Sequence, residues 1–164
     1  MSKAGNQRIG ECVYCGAIGP ITGDHIPPQN LFARPRPNNL IVVPSCLSCN
    51  QSASLDDEYF RMTLSLREDM QPHPANDQLR RAVHRAFANP RKAKFTRAFF
   101  QGVRRADVET PSGIYLGQQP IYEVNLRRLE RVAARIAKGL FYHTRKLRLP
   151  DDYDMISFSE EGNE

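Results

Sequence analysis

Four cysteines stand in two pairs, Cys12-Val13-Tyr14-Cys15 and Cys46-Leu47-Ser48-Cys49, with thirty residues between the pairs. A short Cys-x-x-Cys turn presents two thiolates to one ion, and two such turns complete a tetrahedral zinc site. Gly16 after the first pair and Pro44 before the second both fit turns. Two disulfides or a redox dithiol compete for the same spacing. Disulfides belong to oxidising compartments, and a redox Cys-x-x-Cys needs only one pair, so a structural zinc is expected. The ion would hold together a small N-terminal unit with little core of its own.

Between the pairs, Thr22-Gly23-Asp24-His25-Ile26-Pro27-Pro28 sets a carboxylate beside an imidazole just ahead of a rigid Pro-Pro step. Asn50 follows the fourth cysteine directly, so a bound zinc would fix the backbone that aims its amide oxygen. A hard cation such as Mg²⁺ takes oxygen ligands and keeps several waters, so a carboxylate, an amide oxygen and substrate phosphate oxygens could suffice. A neutral imidazole alongside would take the proton from an attacking water. Base, metal and leaving-group site are the parts of phosphodiester hydrolysis. An Asp-His pair by itself is more often plain surface polarity; the four-cysteine frame around it is what points to chemistry.

These groups need elements to hold them. Leu40-Ile41-Val42-Val43 is the best strand candidate in the first third of the chain. Leu55, Tyr59, Met62, Leu66 and Met70 follow a helical period, with Ser54-x-x-Asp57 as a capping box and Asp56, Asp57 and Glu58 complementing the helix dipole. Pro72 and Pro74 mark a linker. A second helix is expected over 77–88, apolar through Leu79, Val83 and Phe87 and basic through Arg80, Arg81, His84 and Arg85. Residues 103–124 read as two short strands around the turn Thr110-Pro111-Ser112-Gly113. A last helix over 125–146 carries a stripe of Leu126, Leu129, Val132, Ile136, Leu140 and Phe141, expected to be core. Its other face carries Arg127, Arg128, Arg131, Arg135 and Lys138.

At 164 residues, 40% hydrophobic and 25% charged, the chain fits a modest globular domain with an extension rather than a disordered one. No stretch approaches the roughly 20 apolar residues of a membrane helix, and Met1–Arg8 lacks the apolar run of a secretory signal. No membrane role and a cytoplasmic location are therefore expected. Charge is segregated. Residues 59–150 hold 19 basic and 7 acidic side chains, 15 of the basic ones arginine, whereas residues 151–164 hold 6 acidic and none basic. Arginine's planar fork suits phosphate, so nucleic acid is the expected partner of the middle block, and the acidic tail is expected to be disordered.

The succession Cys-x-x-Cys, Asp24-His25, Asn39-Leu40 and Cys-x-x-Cys-Asn50 resembles the HNH nucleases of the ββα-metal superfamily, nearest to their junction-resolving endonuclease VII type. The match covers residues 12–50, five elements in order. Asp56-Asp57-Glu58-Tyr59-Phe60-Arg61, Gly113-Ile114-Tyr115-Leu116-Gly117 and Gly139-Leu140-Phe141 resemble bacterial HNH-type proteins more loosely. The resemblance implies that Cys12, Cys15, Cys46 and Cys49 hold structural zinc, that His25 is the general base, and that Asp24 and Asn50 bind a catalytic Mg²⁺ or Mn²⁺. Asn39 would brace the loop carrying the base, a place that Asn38 beside it fits equally by spacing. Two positions depart from the pattern: Asn50 stands where many members have histidine, and Ala53 where many have lysine.

The expected fold is α+β, with a zinc-stapled ββα-metal core at 8–70, a basic α/β extension at 76–150 and an acidic tail at 151–164. The expected function is a metal-dependent DNA endonuclease, with Arg61, Arg80, Arg81, Arg85, Arg127 and Arg131 on backbone phosphates, in a chain that could act as a homodimer. A non-catalytic zinc-dependent nucleic-acid module, or the same chemistry on RNA, stands as the alternative.

Overall fold

A computed structural model describes residues 8–67 and 74–153; residues 1–7, the middle of the expected linker with His73, and most of the expected acidic tail lie outside them. The architecture is mixed α/β. In chain order it runs β1 (Ile9–Glu11), β2 (Ile18–Ile26), β3 (Ile41–Cys46), α1 (Leu47–Ser52), α2 (Ser54–Leu66), α3 (Pro74–Phe87), α4 (Ala93–Gln101), β4 (Val103–Glu109), β5 (Tyr115–Tyr122) and α5 (Leu126–Arg145). Two compact units result. One takes the chain up to Leu64 together with everything from Leu126; the other is Ser65–Asn125.

In the first unit β1, β2 and β3 form an antiparallel sheet in that order. The β2–β3 ladder is regular from Ile21 opposite Cys46 to Ile26 opposite Ile41. Side chains alternate across a strand, so Thr22, Asp24 and Ile26 share one face while Gly23 and His25 take the other. Ile26, Val43 and Val13 form the buried centre, packed by Tyr14, Ile41 and, from α5, Ile136 and Tyr142. Gly139 lets α5 cross close to β2, because a Cβ there would lie 2.5 Å from Ile26 Cγ1. Gly139→Val should therefore cost about 1–3 kcal/mol by overpacking, read as a lower urea midpoint at unchanged slope.

Helix α5 extends the first unit rather than the basic extension in which the sequence placed it, and its packed face is turned from the expected stripe. Val132, Arg135, Gly139 and Tyr142 face the unit, while Leu126 and Leu140 remain 58% and 42% exposed. The reason is electrostatic: Arg128, Arg131 and Arg135 find carboxylates on β2 and α2. The expected capping box is likewise displaced. The carbonyl of Ala53 accepts from the N–H groups of Asp56 and Asp57, so Ala53 holds the cap position and Ser54 is the first helical residue.

The second unit runs through α3, a 3-10 turn at Pro90–Lys92 and α4, followed by the β4–β5 hairpin. Phe87 meets Phe100 with ring centroids 4.9 Å apart, and Phe99 meets Tyr122 at 5.6 Å. Helix α4 falls where the sequence pattern assigned no element. Its Phe95 and Phe99, four residues apart, are the helical signal there.

Candidate functional site

The four cysteine Sγ atoms all lie within 4.8 Å of one another. Cys15 Sγ and Cys46 Sγ are 3.8 Å apart, about the edge of a tetrahedron with Zn–S bonds of roughly 2.3 Å, and all four cysteines are free thiols. The backbone builds this cluster from both ends. Gly16 N–H closes the first turn on Cys12 C=O, with Gly16 at φ +72°, and Val13 N–H reaches Pro44 C=O, docking that turn beside the second pair. Cys46 is the N-cap of α1, its sulfur accepting from Cys49 N–H.

The thiols are already divided electrostatically. The Ser48 hydroxyl and the Cys49 N–H bring Cys46 down to about 6. Burial pushes Cys12 up, but N–H groups of Cys46, Cys15 and Tyr14 outweigh it and the net direction is down. Burial and its neighbouring thiols push Cys49 up. Four thiols this close ionise together only around a cation, and the cluster can hold a metal ion such as zinc.

Asp24 is 7% exposed on the face of β2 that meets α5. Its Oδ2 accepts from Tyr14 O–H at 2.6 Å and from Arg135 Nη2 at 2.5 Å. Arg135 also donates through Nη1 to Asp57 at 2.9 Å, with its guanidinium 5.2 Å from the Tyr14 ring. Burial and the neighbouring Asp24 carboxylate raise the Tyr14 phenol. Burial alone would lower Arg135, but Asp57 and Asp24 outweigh it and hold the guanidinium charged; Asp57 is pushed up by burial against the pull of Arg135. No motif assigned Tyr14, Arg135 or Asp57 a part in the site. Tyr14 lies inside a cysteine pair, and nothing in the spacing links residues 24, 57 and 135.

Asn50, on α1, donates from Nδ2 to Thr22 Oγ1 at 3.1 Å and to Gly23 C=O at 3.4 Å. Asp24 and Asn50 thus lie on the same side of β2. His25 is half-buried on the opposite face beside the exposed Val42, and Asn39 is exposed in the turn before β3. Of the arginines expected on phosphate, Arg61 is 9% exposed and ion-paired with Glu58. Arg131 bonds Asp56 at 2.6 Å, and Arg127 is exposed on α5. Arg81 and Arg85 are exposed and Arg80 half-buried, all three on α3 in the second unit.

Helix α5 and the start of α2 enclose a cleft of about 670 Å³, lined by Tyr14, Ala53, Leu55, Val132 and the three paired arginines Arg128, Arg131 and Arg135. Arg128 also sits 4.4 Å over the Tyr59 ring. Burial raises Asp56, but hydrogen bonds from Arg131 and Arg128 outweigh it and hold its carboxyl below the usual range. Asp56 therefore contributes stability above the ordinary carboxylate pKa of about 3.9, and that contribution is lost as pH falls toward its lower folded value. Asp56→Asn should flatten the acid limb of a stability–pH curve, and Arg131→Ala, at a 59% exposed side chain, should cost under about 1 kcal/mol.

No protein-family model, curated protein or solved structure matches the chain.

Proposed function

We propose that the protein is a divalent-metal-dependent endonuclease of HNH type. The observation that carries this is a hairpin running directly into a helix. Strands β2 and β3 lead without a loop into α1, the two cysteine pairs flank them, and Asn50 contacts the residues immediately before Asp24-His25. Four cysteines at tetrahedral spacing fit zinc, which would lock this arrangement rather than react. Asp24 and Asn50 offer one carboxylate and one amide oxygen, a donor set suited to a hard cation. The Tyr14 and Arg135 bonds to Asp24 both fall on Oδ2, so Oδ1 is the atom that would meet the ion, whose chemistry is to stabilise charge on the phosphate and the leaving oxygen. Tyr14 and Arg135 fix the carboxylate in place. His25 would deprotonate the attacking water, and for this the end of β2 must leave the regular register that keeps His25 and Asp24 on opposite faces.

That same register favours a second reading, a zinc-dependent nucleic-acid module in which Asp24 is a structural partner of Arg135. Supercoiled plasmid separates the two. Nicking or linearisation by wild type with Mg²⁺ or Mn²⁺, lost in EDTA and reduced at least a hundredfold in His25→Ala, is expected of the nuclease. Equal activity in wild type and His25→Ala removes His25 from the chemistry. DNA retarded on a gel but uncut under every metal condition assigns the chain to the binding module.

A further inference from the structure

We infer that the second unit is a separate grip for duplex DNA, formed by α3, α4 and the turn between them, and that α5 contributes little to it. The inference rests on the proposed function for its substrate class and departs from the sequence expectation in where the protein holds that substrate. From Arg80 to Arg105 the chain carries nine arginines and lysines and no aspartate or glutamate. Ordinary surfaces intersperse both signs, and an acid-free run of this density repels itself unless a polyanion meets it. Arg81, Arg85, Arg91, Lys94 and Arg97 are exposed, and among the described residues none of these side chains has a carboxylate partner. On α5 three arginines are engaged, Arg128, Arg131 and Arg135 each closing on Asp56, Asp57 or Asp24, while Arg127 and Arg145 are exposed. Arg61 is buried against Glu58. Arg61, Arg128, Arg131 and Arg135 thus hold the first unit together, whereas those five cations of the second unit face solvent.

The choice of duplex follows from how these cations are mounted. Phe87 packs on Phe99 and Phe100, and Phe99 on Tyr122, so α3, α4 and β5 share an aromatic cluster that mounts the cations on regular elements, a fit to regularly spaced phosphates. Single-strand binders instead display several aromatics on which bases stack. Between Arg80 and Arg105 only Phe100 is an exposed aromatic, and its ring already leans on Phe87 and Phe99.

Fluorescence anisotropy with a 30-base-pair duplex, in magnesium-free buffer on the full-length His25→Ala chain, tests this directly. Arg91→Ala/Lys94→Ala/Arg97→Ala alters exposed side chains only, and unchanged zinc content and circular dichroism would confirm that it folds. Its affinity at 100 mM salt should fall at least tenfold, and the salt slope by about 3, near one unit for each lost phosphate contact. Arg127→Ala/Lys138→Ala on α5 should change affinity less than twofold. Unaltered affinity and slope in the triple variant would overturn the inference, as would a larger loss from the α5 pair. Tighter binding to a single strand of equal length would overturn the choice of duplex. Wild type that binds through these residues yet never cleaves would defeat the nuclease proposal and leave this one standing.

Discussion

Replacing Cys46 by serine should release the metal and unfold the first unit, the largest single effect expected of any substitution in the chain. The sheet there has three strands, and the fully buried aliphatic side chains of the unit are Val13, Ile26, Val43, Met62 and Val132. At roughly 2 kcal/mol for each fully buried side chain, that core is small beside the entropy of ordering the strands around it. A structural zinc contributes on the order of 10 kcal/mol in small domains, comparable to the whole stability of a typical one. Cys46 also caps α1 with its sulfur and lies 3.8 Å from the Cys15 thiol, so its loss removes a ligand and a cap together. Purified wild type should carry close to one zinc per chain by elemental analysis. Cys46→Ser should carry almost none and lose near-ultraviolet circular dichroism, while retaining part of its helical signal from α3 and α4. Metal-free wild type with an unshifted melting temperature would show that the cysteines are not a structural metal site.

What the sequence made legible, and what it hid, follows the range of the interactions. The cysteine cluster could be read because each half is a four-residue turn whose geometry is local, leaving only the meeting of the two halves to the fold. The strands at 103–122 and the helices expected from near 54, 77 and 125 could be read from period and turn residues, which are also local, although Pro74, expected in the linker, opens α3. The facing of α5 could not. Its apolar stripe and its arginine face both make plausible contacts, and the outcome depends on Asp24, Asp56 and Asp57, which lie 72 to 111 residues away. The arginine pattern alone gives no sign of which guanidiniums will be paired and which left for a polyanion. In the candidate site, adjacency of Asp24 and His25 is visible in sequence, but whether they face one cleft depends on strand register, and the regular ladder sets them apart.

Removing Arg135 should cost about 3–5 kcal/mol, the range for breaking a buried charge pair by deleting one partner. Its side chain is 14% exposed and bridges Asp24 on β2 to Asp57 on α2. In Arg135→Met the apolar bulk is largely kept, so packing changes little and the loss is electrostatic. Two buried carboxylates then face one another without a counter-ion, and Asp57, already pushed up by burial, would protonate first. The sign of the pH dependence follows. A carboxyl whose folded pKa lies above its unfolded one contributes stability at low pH and loses it as pH rises through the folded value. Arg135→Met should accordingly recover stability on acidification from pH 7 to pH 5, the reverse of what the Asp56 pairs contribute. Adding Asp57→Asn should restore about half of the loss at pH 7, because one uncompensated charge is then gone. Urea midpoints of the three proteins at both pH values supply the cycle. A loss independent of pH, unrelieved by Asp57→Asn, would mean that Arg135 acts through packing on Tyr14. Should the plasmid assay show cleavage, the same variant bears on it too: without the Arg135 guanidinium beside it, Asp24 would draw a divalent ion more strongly yet be less fixed, so the metal concentration for half-maximal cleavage should fall while the maximal rate falls with it.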